Sequence, residues 1–211
     1  MSNKVLRYVR KCLAVLPAVP ICALGVVIFV KANWGSDPLT MFELGLSNTF
    51  NITLGVASLV FEGSMFVLFF FLNRKLVNFG TFAFCFGIGP CIDFFTPIVD
   101  RLFNFQPSIA VNSLYILLGS ILICVALAYY IPMDLGYQTS DIFALSVGEW
   151  FHLSYGVSLT IVYLILFIAG FILSGPWGIG TIISIVAFGP IIDRLMKVTS
   201  GFSYKLAGIT A

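Results

Sequence analysis

Charged residues are scarce in this sequence. Only 9% of its 211 residues are Asp, Glu, Lys or Arg, whereas 60% are hydrophobic and 16% are aromatic. A soluble domain carries about 25% charged residues, so this chain has too few to cover a surface that faces water. The composition indicates a protein whose solvent is the lipid bilayer. The length leaves no room for a sizeable soluble domain beside a single membrane domain spanning 1–211.

The residue types that build metal sites and disulfide frameworks are also few. The five cysteines show no C-x-x-C spacing, and His152 is the single histidine. An odd number of irregularly spaced cysteines predicts neither a disulfide framework nor a zinc site. We therefore expect no bound metal and no cofactor, and we interpret the cysteines as small apolar residues.

Long apolar runs, by contrast, recur along the chain. A membrane-spanning helix needs about 20 mainly apolar residues. No alternating pattern typical of barrel strands is present. The sequence thus predicts an all-α, polytopic membrane protein with six transmembrane helices. Their expected positions are 12–33, 54–73, 79–99, 110–132, 155–174 and 179–197.

The positive charges favour one orientation of such a bundle. With the N-terminus in the cytoplasm, nine of the eleven Lys and Arg residues fall on the cytoplasmic side, and only Lys31 and Arg101 fall outside. Cytoplasmic loops of membrane proteins carry an excess of Lys and Arg. We therefore predict a multi-pass protein of the cytoplasmic membrane with both termini in the cytoplasm.

The two halves of the sequence resemble each other. Residues 35–55 match 136–156 at a constant offset, and GTFAFCFGIGPCID at 80–93 matches GTIISIVAFGPIID at 180–193. Apolar residues often match by chance. Gly-Thr followed by Gly-Pro-x-Ile-Asp at one spacing does not, so we infer an internal repeat.

The repeat predicts an inverted architecture. Repeat 1 covers about 12–105 and repeat 2 about 110–197, with three spans in each. Because three is odd, the second copy enters the membrane from the opposite side. Inverted repeats recur in secondary transporters, where the binding site lies between the halves near the midplane. The alternative is that duplication merely makes a stable bundle.

Each half also contains a short segment before its second span. Asp37-Pro38 is a helix start, because the carboxylate caps free N–H groups and proline suits the first turn. Asp141 lies at the start of the matching segment, and Glu43 lies within the first one. With about three turns each, these helices either enter the membrane as half-helices or lie flat in its interface. Asp37, Glu43 and Asp141 are candidate substrate- or ion-binding residues.

Acidic residues inside the predicted spans are the other candidates. Glu62 lies near the middle of the second span, where a carboxylate must face the bundle interior or stay protonated. It is a proton carrier, a substrate contact, or a neutral acid that hydrogen-bonds between helices. Asp93 and Asp193 each follow a Gly-Pro pair, and we expect them near opposite mouths of a cleft, as gates or as helix caps. The candidate helix-break residues are Gly89, Pro90, Gly189 and Pro190.

Two motifs resemble a bacterial family. K-A-N-W-G-S-D-P at 31–38 and G-I-G-P-C-I-D at 87–93 are similar to YczE-type (YczE/YyaS/YitT-like) integral membrane proteins, and the resemblance extends over about 12–197. It implies a polytopic, transporter-like protein and supplies neither a substrate nor catalytic residues. The second half departs from the GSDP pattern, because Gln138 stands where Asp37 stands in the first half.

We therefore expect a secondary transporter of a small molecule, with proton coupling through Glu62, rather than an enzyme. The alternatives are a substrate-capture (S-component-like) subunit of a multi-protein importer, a structural or regulatory membrane protein, and a membrane enzyme acting on lipid or quinone. The last would need a nucleophile or metal cluster at membrane depth. The expected partners are the lipid bilayer and a small-molecule substrate, with no nucleic acid; a homo-oligomer stays open.

The orientation can be tested with reporter fusions. Fusions after Lys75 and at the C-terminus should report the cytoplasm, and a fusion near Phe105 should report the outside. A cytoplasmic signal at Phe105 would exclude both this topology and the inverted arrangement.

Overall fold

The computed structural model describes residues 3–208, and all regular secondary structure in this part of the chain is helical. Two short 3-10 turns, Arg74–Leu76 and Ile131–Met133, follow α4 and α6. The α-helices are α1 (Asn3–Val15), α2 (Ala18–Lys31), α3 (Pro38–Phe50), α4 (Leu54–Leu72), α5 (Phe79–Leu102), α6 (Ile109–Tyr130), α7 (Thr139–Phe151), α8 (Tyr155–Ile172) and α9 (Ile179–Ala207).

Six of the described helical stretches are long and apolar enough to cross a membrane. They agree with the six predicted spans and identify a multi-pass membrane protein. The first combines α1 and α2, which are separated by a break at Leu16-Pro17. The stretches are Arg7–Lys31, Leu54–Leu72, Phe79–Leu102, Ile109–Met133, Tyr155–Ile172 and Ile179–Ala207.

The last span is longer than predicted. We expected it to end at residue 197, but α9 continues to Ala207. The part of α9 beyond residue 197 is stabilised by tertiary contacts: Ser203 donates a 2.7 Å hydrogen bond to the Tyr129 carbonyl. Arg10 of α1 donates to the carbonyl groups of Lys205 and Leu206. These are carbonyls that a helix C-terminus leaves without partners of its own.

The centre of the bundle is the contact between α2 and α6, the largest between any two helices. Glycine permits it: a Cβ on Gly119 would lie 2.7 Å from the Phe29 Cβ, and one on Gly25 would lie 2.9 Å from the Leu122 Cβ. Small residues that let backbones approach closely are the usual basis of helix association in membranes.

The Gly-Pro-x-Ile-Asp motif of each half joins two neighbouring spans. A Cβ on Gly89 would lie 2.3 Å from the Gly55 carbonyl oxygen, and one on Gly189 would lie equally close to that of Gly156. The motif therefore packs α5 against the first turn of α4, and α9 against the first turn of α8. Neither helix is broken there: α5 and α9 continue through Pro90 and Pro190, which are exposed on the outside of the bundle.

The Gly-Thr motif of each half holds a turn of the other half. Gly180 N donates a 2.9 Å hydrogen bond to the Trp34 carbonyl, in the turn before α3. Gly80 N donates a 2.7 Å bond to the Leu135 carbonyl, in the turn before α7. Both turns contain a glycine with positive φ, +87° at Gly35 and +95° at the equivalent position before α7. The start of each short helix is thus fixed by the opposite half of the chain.

The close contact at Gly89 and Gly189 makes a stability prediction. Gly89→Ala and Gly189→Ala should each lower the free energy of unfolding by about 1–3 kcal/mol, because the new methyl group has no room. Thermal unfolding of the purified protein in detergent measures this.

Gly201 is the matched control, since nothing lies within 4 Å of a Cβ added there. Gly201→Ala should leave the protein as stable as the wild type or slightly more stable, because alanine is the better helix former. Equal melting temperatures for all three variants and the wild type would contradict the packing role of the motif.

Candidate functional site

The first turns of α3 and α7 lie deep in the bundle. Asp37, which immediately precedes α3, lines a small cavity together with Cys22 of α2 and Tyr163 of α8, both near the middle of their spans. Its Oδ1 caps α3 by accepting a 3.2 Å hydrogen bond from Thr40 N. Gln138, at the start of α7, lines the same cavity. The two short helices therefore begin at one place, at mid-length of the neighbouring spans.

Glu62 caps α7 from outside that helix. It is fully buried, and its Oε1 accepts a 2.9 Å hydrogen bond from Gln138 Nε2. Its Oε2 accepts bonds from Thr139 Oγ1 at 2.7 Å and from Thr139 N at 3.4 Å. Cys85, expected to be only an apolar residue, adds a weak S–H donor at 3.5 Å. The negative carboxylate lies where the partial positive charge of a helix N-terminus favours it.

Asp141 has both of its oxygens paired. Tyr130 donates to Oδ2, and Tyr155 donates to Oδ1 at 2.7 Å. The Tyr130 hydroxyl in turn accepts a 3.0 Å bond from Gln138 N. The carboxyl group therefore connects the first turn of α7 with α6 and α8, and both of its oxygens accept hydrogen bonds from tyrosines.

Glu43 differs from the other buried acids. It lies within α3, is 2% exposed, and its Oε1 has no hydrogen-bond partner. Asp37 Oδ2 is also buried without a partner. Both side chains line the cavity together with Ser58, and the volume of this cavity is about 20 Å³. That is room for one water molecule.

These acids have no cationic partner nearby. The ion pairs among the described side chains are Lys31 with Asp100 and Lys75 with Glu149, both at partly exposed positions. No Lys, Arg or His of the described residues lines the cavity. The interior of this sparsely charged protein thus holds Asp37, Glu43, Glu62 and Asp141, each at most 5% exposed, without a counter-charge.

Asp93 and Asp193 lie elsewhere and cap helices. Asp93 accepts hydrogen bonds from Gly55 N at 3.0 Å and Thr53 Oγ1 at 2.7 Å, at the start of α4. Asp193 accepts from Gly156 N at 3.1 Å and from the equivalent serine at the start of α8. Neither aspartate lines the central cavity, and the described contacts correspond to the cap interpretation. Asp193 also borders a separate surface pocket.

Several residues of the site were not singled out from the sequence as candidates. Gln138, Ser58 and Tyr163 line the cavity, and Tyr130 and Tyr155 hold Asp141. The repeat contained a signal for two of them, because Gln138 occupies the position of Asp37 and Tyr163 that of Glu62. No local pattern distinguishes the remaining three from ordinary residues of a span.

A protein-family model described as "Family of unknown function (DUF6198)" matches residues 9–197. The chain belongs to this family. It is similar to the Bacillus subtilis "Uncharacterized protein YyaS", with 26% identity over 84% of this chain and 88% of the relative. An "Uncharacterized protein" of Haemophilus influenzae is 22% identical over 86% of this chain and 81% of the relative. These matches agree with the YczE/YyaS-type resemblance of the sequence motifs. No solved structure matches the chain.

The cap on α7 can be tested by mutation. Glu62→Ala leaves the two donors of Thr139 and that of Gln138 buried without an acceptor. Because each such group costs about 1–3 kcal/mol, we expect a loss of stability of about 3 kcal/mol or more. Glu62→Gln keeps an acceptor oxygen and should lose less. Thermal unfolding in detergent compares them.

Ser120→Ala is the control, because the Ser120 hydroxyl is buried without a hydrogen-bond partner. Its removal should leave stability nearly unchanged. If Glu62→Ala were as stable as Ser120→Ala, the cap would contribute nothing.

Proposed function

We propose that this protein is a secondary transporter that moves a small molecule across the cytoplasmic membrane, with its site between the halves where the short helices α3 and α7 begin. The observation that carries the proposal is the meeting of two short-helix N-termini at a polar, acid-lined cavity at mid-length of the spans. Transporter sites are typically formed in this way, by discontinuous helices near the bilayer midplane.

The contacts of α3 and α7 support a re-entrant rather than an interfacial position. Asp37 lies beside mid-span residues, whereas Gly45 packs against Leu173, just beyond the end of α8. In α7, Thr139 contacts Glu62 near the middle of α4. Ser146 accepts a bond from Asn73, just beyond the end of α4. Each short helix therefore runs from mid-depth towards one end of the bundle.

The pairing of equivalent contacts supports inverted halves. The turn before α3 is bonded to the start of α9, and the turn before α7 is bonded to the start of α5. In the proposed topology, with both termini in the cytoplasm, the first contact lies at the outer side and the second at the inner side. Two halves of this kind can exchange conformations and expose one site to alternate sides of the membrane.

Glu62 provides a means of proton coupling. When ionised, it accepts three hydrogen bonds from the first turn of α7. A proton on Oε1 turns the acceptor of the Gln138 Nε2 bond into a donor, and an amide N–H cannot accept from it. Protonation would therefore loosen α7 from α4, which links proton uptake to movement of one half-helix.

The test compares metabolites inside and outside cells with and without the protein. We expect one metabolite or a chemically related group to redistribute when the wild type is present. Glu62→Gln should return the distribution to that of cells lacking the protein. Uptake of the same compound into proteoliposomes should depend on a pH gradient in the wild type.

Glu149→Gln is the matched control, since Glu149 is an exposed acid paired with Lys75, away from the cavity. It should transport like the wild type. An unchanged metabolite pattern with the wild type present would contradict transport, and full transport by a folded Glu62→Gln would contradict proton coupling. Co-purification of an ATPase would favour a substrate-capture subunit instead.

A further inference from the structure

The unpaired acids of α3 suggest what the cavity holds. Asp37 Oδ2 and Glu43 Oε1 are at least nine-tenths buried, line one cavity and have no hydrogen-bond partner. An unsatisfied buried polar group costs about 1–3 kcal/mol, and a charged one costs more. Two such carboxyl oxygens at one small cavity, with the Ser58 hydroxyl beside them, therefore indicate a bound species that supplies positive charge.

The lining restricts the chemistry of that species. An anion is excluded by the two carboxylates. Transition metals prefer imidazole or thiolate ligands, and no group of three or more His, Cys, Asp or Glu able to hold a metal ion occurs among the described residues. Calcium takes six to eight oxygen ligands, often several from carboxylates, whereas only two carboxyl groups with an unpaired oxygen line this cavity. The volume of about 20 Å³ is that of one water molecule and too small for an organic amine.

We propose that the cavity is a site for one small monovalent metal cation of the Na⁺ type, held between the carboxylates of Asp37 and Glu43 with the Ser58 hydroxyl as a neutral ligand. The inference rests on the proposed function in making this cation a coupling ion of the transporter. The site differs from Glu62, whose oxygens are already occupied by donors of α7.

The sequence repeat explains why only the α3 side of the cavity carries unpaired carboxyl oxygens. Gln138 replaces Asp37 in the second half and pairs with Glu62. Ala144 stands where Glu43 stands in the first half. Gln138 on the α7 side of the cavity is therefore hydrogen-bonded within the protein, whereas the α3 side carries two carboxyl groups that each have an unpaired oxygen.

The experiment measures thermal unfolding of the purified full-length protein in NaCl, KCl and choline chloride at equal ionic strength and fixed pH. Choline does not fit the cavity and serves as the inert cation. We expect NaCl to raise the melting temperature by about 3 °C or more over choline chloride, because a ligand that binds only the folded state stabilises it. A comparable rise in KCl identifies potassium as the ion of the same site.

Substitutions of the cavity residues test whether the rise in melting temperature comes from this site. Asp37→Asn keeps a good N-cap and Glu43→Gln keeps the side-chain shape, so both should fold and lose the salt-specific rise. Ser58→Ala removes a hydroxyl that lines the cavity and should weaken the rise while the protein still folds. Glu149→Gln should retain it in full. If either acid variant does not fold, binding of radioactive ²²Na⁺ to the wild type and to Ser58→Ala decides the question.

Two results would overturn the proposal. Equal melting temperatures of the wild type in all three salts mean that the acids hold protons only. A rise that persists in Asp37→Asn and Glu43→Gln places the cation elsewhere. Neither result depends on transport, so metabolite redistribution without cation stabilisation would refute this site and leave the proposed function intact. Cation stabilisation without metabolite redistribution would support this site and contradict the proposed function.

Discussion

The backbone N–H groups at the start of a helix must be satisfied, and inside a membrane protein no bulk water is available to do so. Two short helices of this protein begin in the interior and therefore need acceptors there. Asp37 supplies one from the chain just before α3, and Glu62 supplies the other, for Thr139 N, from a neighbouring span. This requirement explains why a chain with so few charges carries carboxylates at its centre.

Positions that the two halves share and positions at which they differ make different contacts in the structure. Residues that the halves share, the Gly-Thr and Gly-Pro-x-Ile-Asp motifs, fix helix starts and close helix contacts. Several positions at which the halves differ line the cavity: Asp37 and its counterpart Gln138 both do, and so does Tyr163, the counterpart of Glu62. The cavity is thus asymmetric: Gln138 on its α7 side is hydrogen-bonded within the protein, whereas Asp37 Oδ2 and Glu43 Oε1 on its α3 side have no partner.

The sequence predicted the spans well because lipid imposes a strong, local requirement for apolar residues. The burial of Glu62 also followed from a local argument, the cost of a carboxylate in hydrocarbon. The hydrogen-bond partners of Glu62 could not be predicted in this way, because Gln138 is 76 residues away in the chain and meets Glu62 only in the folded protein. The same limit applies to Gly89, whose motif indicated a broken helix. What it provides is room for a second backbone at Gly55.

The end of α9 was missed for a related reason. A polar stretch after Lys197 looked like the end of a span, since its hydrophobicity falls. The helix continues because residues from distant parts of the chain bind it: the Tyr129 carbonyl accepts from Ser203, and Arg10 holds the terminal carbonyl groups. Boundaries set by such tertiary contacts are not encoded in local composition.

The hydrogen bonds between each Gly-Thr motif and a turn of the other half also affect the order in which contacts form during synthesis. The turn before α7 meets a partner that already exists, because Gly80 precedes Leu135 in the chain. The turn before α3 must wait for Gly180, 146 residues after Trp34. At ribosomal speeds this is roughly 7–30 s. For that interval the turn before α3, which leads into a helix with two buried acids, lacks the hydrogen bond that holds it in the complete protein.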